Sequence, residues 1–136
     1  MRKLCFLAAF LITNFVAAAQ SSYSVVFDIT SGDTSLQKSL VRWLRGISDA
    51  NPEAKLQVVL YGQSLPMVMK EKSVVAMAVT ELARKPNIRF TVCALALKRH
   101  NIQPSELITG VVSVPDGIHE IVARQGEGFG YIKVSN

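Results

Sequence analysis

The sequence predicts one α/β domain, a three-layer α/β/α sandwich around a mostly parallel sheet of about five strands. Short runs rich in valine and isoleucine alternate along the chain with segments whose apolar residues recur at helical spacing. The chain has 136 residues and shows no internal repeat or low-complexity linker. That length suits a single domain with a single core.

The predicted elements alternate between strands and helices in chain order. They are strands at 24–29, 55–61, 88–92, 110–114 and 130–134, with helices at 34–50, 73–85, after Cys93 and at 116–125. Asp33 or Thr34 is expected to cap the first helix, and Asn51-Pro52 to stop it. A loop from Gly62 through Pro66 should follow the second strand. Strands joined through helices indicate right-handed parallel crossovers.

The helix predicted at 73–85 is apolar on nearly all sides. Such a helix needs more burial than one face of a sheet provides. The preceding segment from Leu65 to Met69 is expected to add further apolar surface, and exposed apolar patches usually mark contacts with other chains. The sequence therefore favours a homo-oligomer, although a compact monomer that covers this helix is the alternative.

Residues 1–19 have the pattern of a secretory signal peptide. Arg2 and Lys3 precede an apolar run from Leu4 to Val16, and small residues follow up to Ala19. We expect cleavage near Ala19 and a mature domain, 20–136, that is periplasmic or secreted. The apolar run is shorter than the roughly 20 residues of a spanning helix, so stable membrane insertion is not expected. Cys5 would be removed with the leader.

The charge of the chain points away from nucleic acid. The formal net charge of +5 falls to +3 once Arg2 and Lys3 are removed. The remaining basic residues are scattered along helical faces, and aromatic residues are not interleaved with them as in single-strand binding platforms. Solvated helix faces explain these charges, so we expect no nucleic-acid partner.

Cys93 is the candidate functional residue, because it stands where a strand gives way to a helix. Ligand sites of α/β folds gather at the carboxyl ends of the strands, and the start of a helix stabilises a thiolate. The alternative is a small buried residue that packs strand against helix. The candidate binding residues from the same region are Asp28, Gly62, Gln63, Ala94, Pro115 and Gly117.

Other chemistry has little support in the sequence. His100 and His119 match no zinc spacing, so we interpret both as surface residues and predict no metal. The glycine-rich segment 126–130 precedes a strand, whereas a phosphate loop follows one and ends in Gly-Lys-Ser/Thr. A helix stop and a tight turn explain this segment.

Three segments resemble the DsrE/DsrF-like (YchN-like) family. They are Phe90-Thr91-Val92-Cys93, Val114-Pro115-Asp116-Gly117-Ile118, and Gln125-Gly126-Glu127-Gly128-Phe129-Gly130-Tyr131-Ile132. The resemblance implies a compact α/β sandwich that forms homo-oligomers, commonly trimers or hexamers. It also implies that Cys93 holds sulfane sulfur as a persulfide. Two positions depart from the family pattern: Tyr61 stands where many relatives have histidine, and Ala94 where glycine is frequent.

The leading hypothesis is an exported sulfur-handling protein, a persulfide carrier or sulfurtransferase-like protein that works through Cys93. It would need a sulfur donor and an acceptor thiol protein but no cofactor. The opposing hypothesis is a non-enzymatic oligomeric module that binds a ligand or partner in the crevice or on apolar surface around residues 67–69. A third hypothesis is a redox sensor in which Cys93 forms an intermolecular disulfide.

Overall fold

The structure is a computed structural model that describes residues 23–135. The predicted signal peptide, with Cys5 and the cleavage position at Ala19, lies outside the described residues. Within residues 23–135, none of the helices combines the length and the apolar character that a bilayer crossing requires.

All five strands run parallel in one sheet, in the order β4-β3-β2-β1-β5. The elements are β1 (Ser24–Ile29), α1 (Thr34–Ala50), β2 (Lys55–Leu60), a 3-10 helix (Gly62–Val68), α2 (Ala76–Leu82), β3 (Ile88–Cys93), α3 (Ala94–Arg99), a short 3-10 helix (Pro104–Glu106), β4 (Val112–Val114), α4 (Gly117–Gly126) and β5 (Gly130–Val134). The predicted single α/β domain with a five-stranded sheet is confirmed. Asp33 is the N-cap of α1 and Asn51 its C-cap, as expected.

The strand order explains why the two faces of the sheet are covered differently. From β1 to β4 the chain always steps in one direction, so right-handed crossovers place the connecting helices on one face. The chain then steps back to β5 beside β1, which places α4 on the other face. Phe27, Val58 and Phe90 belong to the larger core, whereas Val26 and Val59 pack with Ile121 of α4. Within residues 23–135 a single helix, α4, therefore covers the second face.

The apolar segment before α2 corrects one prediction. Leu65, Met67, Val68 and Met69 are at most 3% exposed, so they add no apolar surface. They lie in or directly after a 3-10 helix that turns inward against the core, where a loop was expected. Apolar surface around residues 67–69 therefore cannot serve as a binding surface.

Helix α2 is shorter than predicted, seven residues in place of thirteen. The Ser73 hydroxyl donates to the Met67 carbonyl and accepts from the Val75 amide, which delays the start of the helix. Val75 and Val79 are buried, but Val74 is 55% exposed and Met77 88% exposed. The expected exposed apolar surface is therefore confined to the start of this helix.

Strand β4 is also shorter than predicted. It begins at Val112, because Gly110 adopts a φ of +94° that belongs to a turn. This short strand forms one edge of the sheet, next to Cys93, which pairs with Val114.

Candidate functional site

Cys93 ends β3 and is the N-cap residue of α3. Cys93 is the one cysteine among residues 23–135; its thiol is free, and the residue as a whole is only 8% exposed. Helix α3 has six residues, so it offers fewer aligned peptide dipoles than a long helix would. The predicted strand-to-helix position is confirmed, and the thiol sits in a tight, largely buried environment.

Gly117, the first residue of α4, lies directly beside Cys93. A Cβ atom on Gly117 would lie 3.2 Å from the Cβ of Cys93, 3.2 Å from Cγ1 of Val59 and 3.5 Å from Cδ1 of Tyr61. The Asp116 side chain caps α4 by accepting from the amide of Ile118 at 2.8 Å. The absence of a side chain at Gly117 is therefore what lets the capped end of α4 lie directly against Cys93.

Tyr61 directly follows β2, and the edge of its ring also lies beside Gly117. Burial, which is the largest cause, and the charge of the Asp28 carboxylate together raise the pKa of Tyr61 to about 12. A phenol with this pKa stays protonated at neutral pH. The Tyr61 hydroxyl can therefore donate a hydrogen bond but cannot act as a general base at neutral pH.

Asp28 is a buried carboxylate in the middle of this face of the sheet, with 4% exposure. Its Oδ2 atom accepts from the Tyr131 hydroxyl at 2.7 Å and from Nζ of Lys133 at 3.2 Å. Its Oδ1 atom is buried and has no donor in hydrogen-bond geometry among the described residues. Lys133 is the direct strand neighbour of Asp28 and also donates to Oγ1 of Thr30 at 3.1 Å.

The predicted site residues fall into two groups. Cys93 and Gly117 come together, and Ala94 follows Cys93 at the start of α3. Asp28 lies on β1, two strands away from Cys93, and contributes to the raised pKa of Tyr61. Of the remaining predicted residues, Gly62 and Gln63 begin the 3-10 helix after β2, and Pro115 lies between β4 and α4. Gln63 and Pro115 are exposed. The Gln63 amide donates to the Thr30 carbonyl at 2.9 Å, which ties the start of the 3-10 helix to the segment after β1.

Three members of the site were not predicted from the sequence as site residues: Tyr61, Tyr131 and Lys133. Tyr131 and Lys133 are two residues apart on β5, so both side chains lie on the face of the sheet that α4 covers. The alternation is visible in the sequence. The pairing with Asp28 is not, because it depends on β5 lying beside β1.

The histidines are not part of this site. His100 and His119 are both exposed, which confirms the surface interpretation. Within residues 23–135 no group of three histidine, cysteine or acidic side chains is arranged to hold a metal ion.

A separate groove lies at the opposite end of the sheet, with a volume of about 370 Å³. Its lining includes Lys55 and Gln57 of β2, Arg89 of β3, and Arg124 and Phe129 near β5. Beneath it Gln57 donates to Oγ1 of Thr91 at 2.9 Å and to Oε1 of Glu120 at 2.7 Å. This groove is an alternative place for a ligand.

Comparison with known proteins supports the fold. No family model matches the chain, and no curated protein matches it. The solved structure of MTH1491 from Methanobacterium thermoautotrophicum, a protein of unknown function, is 29% identical with a TM-score of 0.77 and covers 82% of this chain and 99% of its own. The ychN protein from E. coli is 14% identical with a TM-score of 0.64, and covers 82% and 98%. The chain therefore has the α/β fold of ychN, in line with the YchN-like resemblance of its sequence.

Proposed function

We propose that this protein is a persulfide carrier of the DsrE/DsrF-like family that holds sulfane sulfur on Cys93. The observation that carries the proposal is the position of the free thiol, which lies at the carboxyl edge of the sheet between α3 and the capped end of α4. The fold of ychN and the sequence segments around Cys93 and Gly117 support it.

The chemistry of carriage is a pair of thiol exchanges. The Cys93 thiolate attacks the outer sulfur of a persulfide donor R–S–SH, a new S–S bond forms, and R–S⁻ leaves with the electron pair of the broken bond. An acceptor thiolate then attacks the outer sulfur, and Cys93 leaves as the thiolate. Neither step changes the overall oxidation state, so no cofactor is required.

Carriage is favoured over catalysis with proton transfer. Tyr61 remains protonated at neutral pH, and His100 and His119 are both exposed to solvent. A carrier needs only a thiol that becomes accessible to its donor and acceptor and a pocket that limits oxidation. The low exposure of Cys93 suits the second requirement.

We also propose export after cleavage near Ala19, and assembly into a homo-oligomer, with a trimer or hexamer implied by the family resemblance. The sequence of residues 1–19 supports export. The exposure of Val74 and Met77 supports assembly, because contiguous apolar surface is seldom left open to water.

The test of carriage is the intact mass of the protein after incubation with polysulfide or thiosulfate, with and without a reductant. We expect wild type to gain one sulfur atom that dithiothreitol removes, and Cys93→Ser to gain none. A wild-type mass that never changes, or an equal gain on the Cys93→Ser variant, would contradict the proposal.

The second candidate function is a binding module, and the groove of about 370 Å³ favours it. Lys55 and Arg89 line that groove, and neither has an ion pair within 4 Å among the described residues. Under this candidate Cys93→Ser would leave ligand binding unchanged, whereas Arg89→Gln would weaken it.

A further inference from the structure

Helix α4 turns its charged residues toward the sheet. Glu120 and Arg124 are one helical turn apart and form an ion pair at 3.0 Å, and their side chains are only 15% and 23% exposed. Glu120 also accepts from the side chain of Gln57 on β2 at 2.7 Å, which places this side of the helix on the sheet. The charges in the middle of α4 are therefore paired inside the subunit.

The outer side of α4 is apolar and uncharged. Ile118 and Val122 are also one turn apart, and they are offset by two residues from the ion pair, which is about 200° around the helix. Ile118 is 62% exposed and Val122 60% exposed, and Gln125, one turn further on, carries no charge. A helix that faces water normally carries its charged residues on the outer side. The pattern of α4 is reversed, as expected of a helix whose outer side is covered.

The sheet on either side of α4 is also partly open. Val112 on the edge strand β4 is 38% exposed, and Tyr131 on the edge strand β5 is 43% exposed. Both lie on the face that α4 covers, because their strand partners, Thr91 and Val26, lie on it. Parallel sheets are normally covered on both faces. Here α4 covers only the middle of one face among the described residues.

We propose that a second copy of this chain covers this face, with the outer sides of the two α4 helices packed against each other about a two-fold axis. Ile118 of each copy then packs against Val122 of the other. A two-fold contact places each surface against its own copy, so it requires a surface without unpaired charges of one sign. The inference rests on the proposed homo-oligomer and names a contact within it.

The other charges of this face are paired or lie away from the contact. Asp116 caps the start of α4 with its carboxylate, and Lys133 is paired with Asp28 at 3.2 Å. Lys55 and Arg89 line the groove at the amino ends of the strands. The middle of α4 therefore presents no unpaired charge among the described residues.

The groove beside α2 suits a different kind of contact. Lys38 and Arg42 line it together with Val74 and Met77, and neither cation has an ion pair within 4 Å among the described residues. A two-fold contact there would bring cations of both copies together. The outer side of α4 is therefore the better surface for a two-fold contact.

The first test is the mass of Ile118→Lys in solution, measured by light scattering over a dilution series. The variant should raise the dissociation constant of the contact by at least about tenfold, because an unpaired charge is costly to bury. Ile118→Leu should assemble as wild type does. Leu95→Lys is the matched control for the added charge, since Leu95 is 59% exposed on α3; its mass should equal that of wild type.

The outcomes separate this contact from assembly as such. Dissociation of Ile118→Lys but not of Leu95→Lys supports the inference. An unchanged mass for Ile118→Lys, with dissociation of Met77→Lys, would overturn the inference and leave the proposed homo-oligomer in place. A monomeric wild type would overturn both.

The second test is chemical cross-linking from a single thiol, with Cys5 and Cys93 changed to serine. A short bis-maleimide should join Val122→Cys into a covalent dimer at micromolar concentration, because the two-fold axis brings residue 122 of both copies close together. Leu95→Cys is the control, since its position is equally exposed. Equal cross-linking of the two variants, or none for Val122→Cys, would overturn the inference. If Ile118→Lys fails to fold by circular dichroism, this comparison decides.

Discussion

Gly117 approaches Cys93 so closely that a methyl group added to its Cα would lie 3.2 Å from the Cβ of Cys93. Such a contact is tighter than nine in ten real contacts of Cβ atoms, and Cγ1 of Val59 would lie at the same distance. The start of α4 therefore packs tightly against the end of β3. This relationship links Cys93 to the start of α4.

The first prediction follows from that contact. Gly117→Ala should slow the alkylation of Cys93 and lower the free energy of unfolding by about 1–3 kcal/mol, the range for overpacking a core. Gly126→Ala, at the other end of α4, is the matched control because nothing lies within 4 Å of its added methyl group. Alkylation kinetics and urea unfolding measure both effects. Equal behaviour of the two variants would show that Gly117 does not constrain the thiol.

A second prediction concerns acid stability through Glu120. Burial would raise its pKa, but hydrogen bonds from Gln57 and Arg124 outweigh burial and lower the pKa below its ordinary value of 4.5. A carboxyl with a lowered pKa stabilises the fold above the ordinary value and loses that contribution as the pH falls through the lowered one.

Glu120→Gln should therefore reduce the fall in the free energy of unfolding between about pH 5 and pH 3, the region around the ordinary glutamate pKa. Thermal unfolding across that pH range is the measurement. Glu71→Gln is the control, since Glu71 is exposed and has no ion pair among the described residues. An unchanged slope for Glu120→Gln would mean that the Gln57–Glu120–Arg124 contacts contribute little.

Assembly is the subject of the third prediction. Met77 is 88% exposed, so Met77→Lys should leave the monomer stable while weakening the oligomer, because an unpaired charge is costly to bury at an interface. Met77→Leu keeps the apolar character and serves as the control. Light scattering at micromolar concentration gives the mass of each. A monomeric wild type would refute the proposed homo-oligomer.

Export gives the fourth prediction. Cell fractionation and N-terminal sequencing should find a protein that starts near Gln20 outside the cytoplasm, because residues 1–19 have a charged start, an apolar centre and small residues before the cleavage position. Full-length protein confined to the cytoplasm would contradict it.

The periodicity of the sequence was enough to predict the parallel sheet, the cap at Asp33 and the strand-to-helix position of Cys93, because these are local properties. The exposure of the 65–69 segment was wrongly predicted. An apolar run is equally compatible with a buried core and an open patch, and only tertiary packing decides between them. The Asp28–Lys133 pair could not be predicted for a related reason. It forms because β5 lies beside β1, and the spacing of residues along the chain does not determine the strand order.

The central claim is that Cys93 carries sulfur from a donor to an acceptor, and the most direct measurement follows one sulfur through both steps. Wild-type protein is loaded with ³⁵S-labelled polysulfide, freed of excess donor, and mixed with a small acceptor thiol at neutral pH. The account predicts that the label binds at Cys93, located by peptide mass spectrometry, and passes to the acceptor as Cys93 returns to its original mass. Label that never binds, that binds equally to Cys93→Ser, or that stays on the protein in the presence of the acceptor would contradict sulfur carriage.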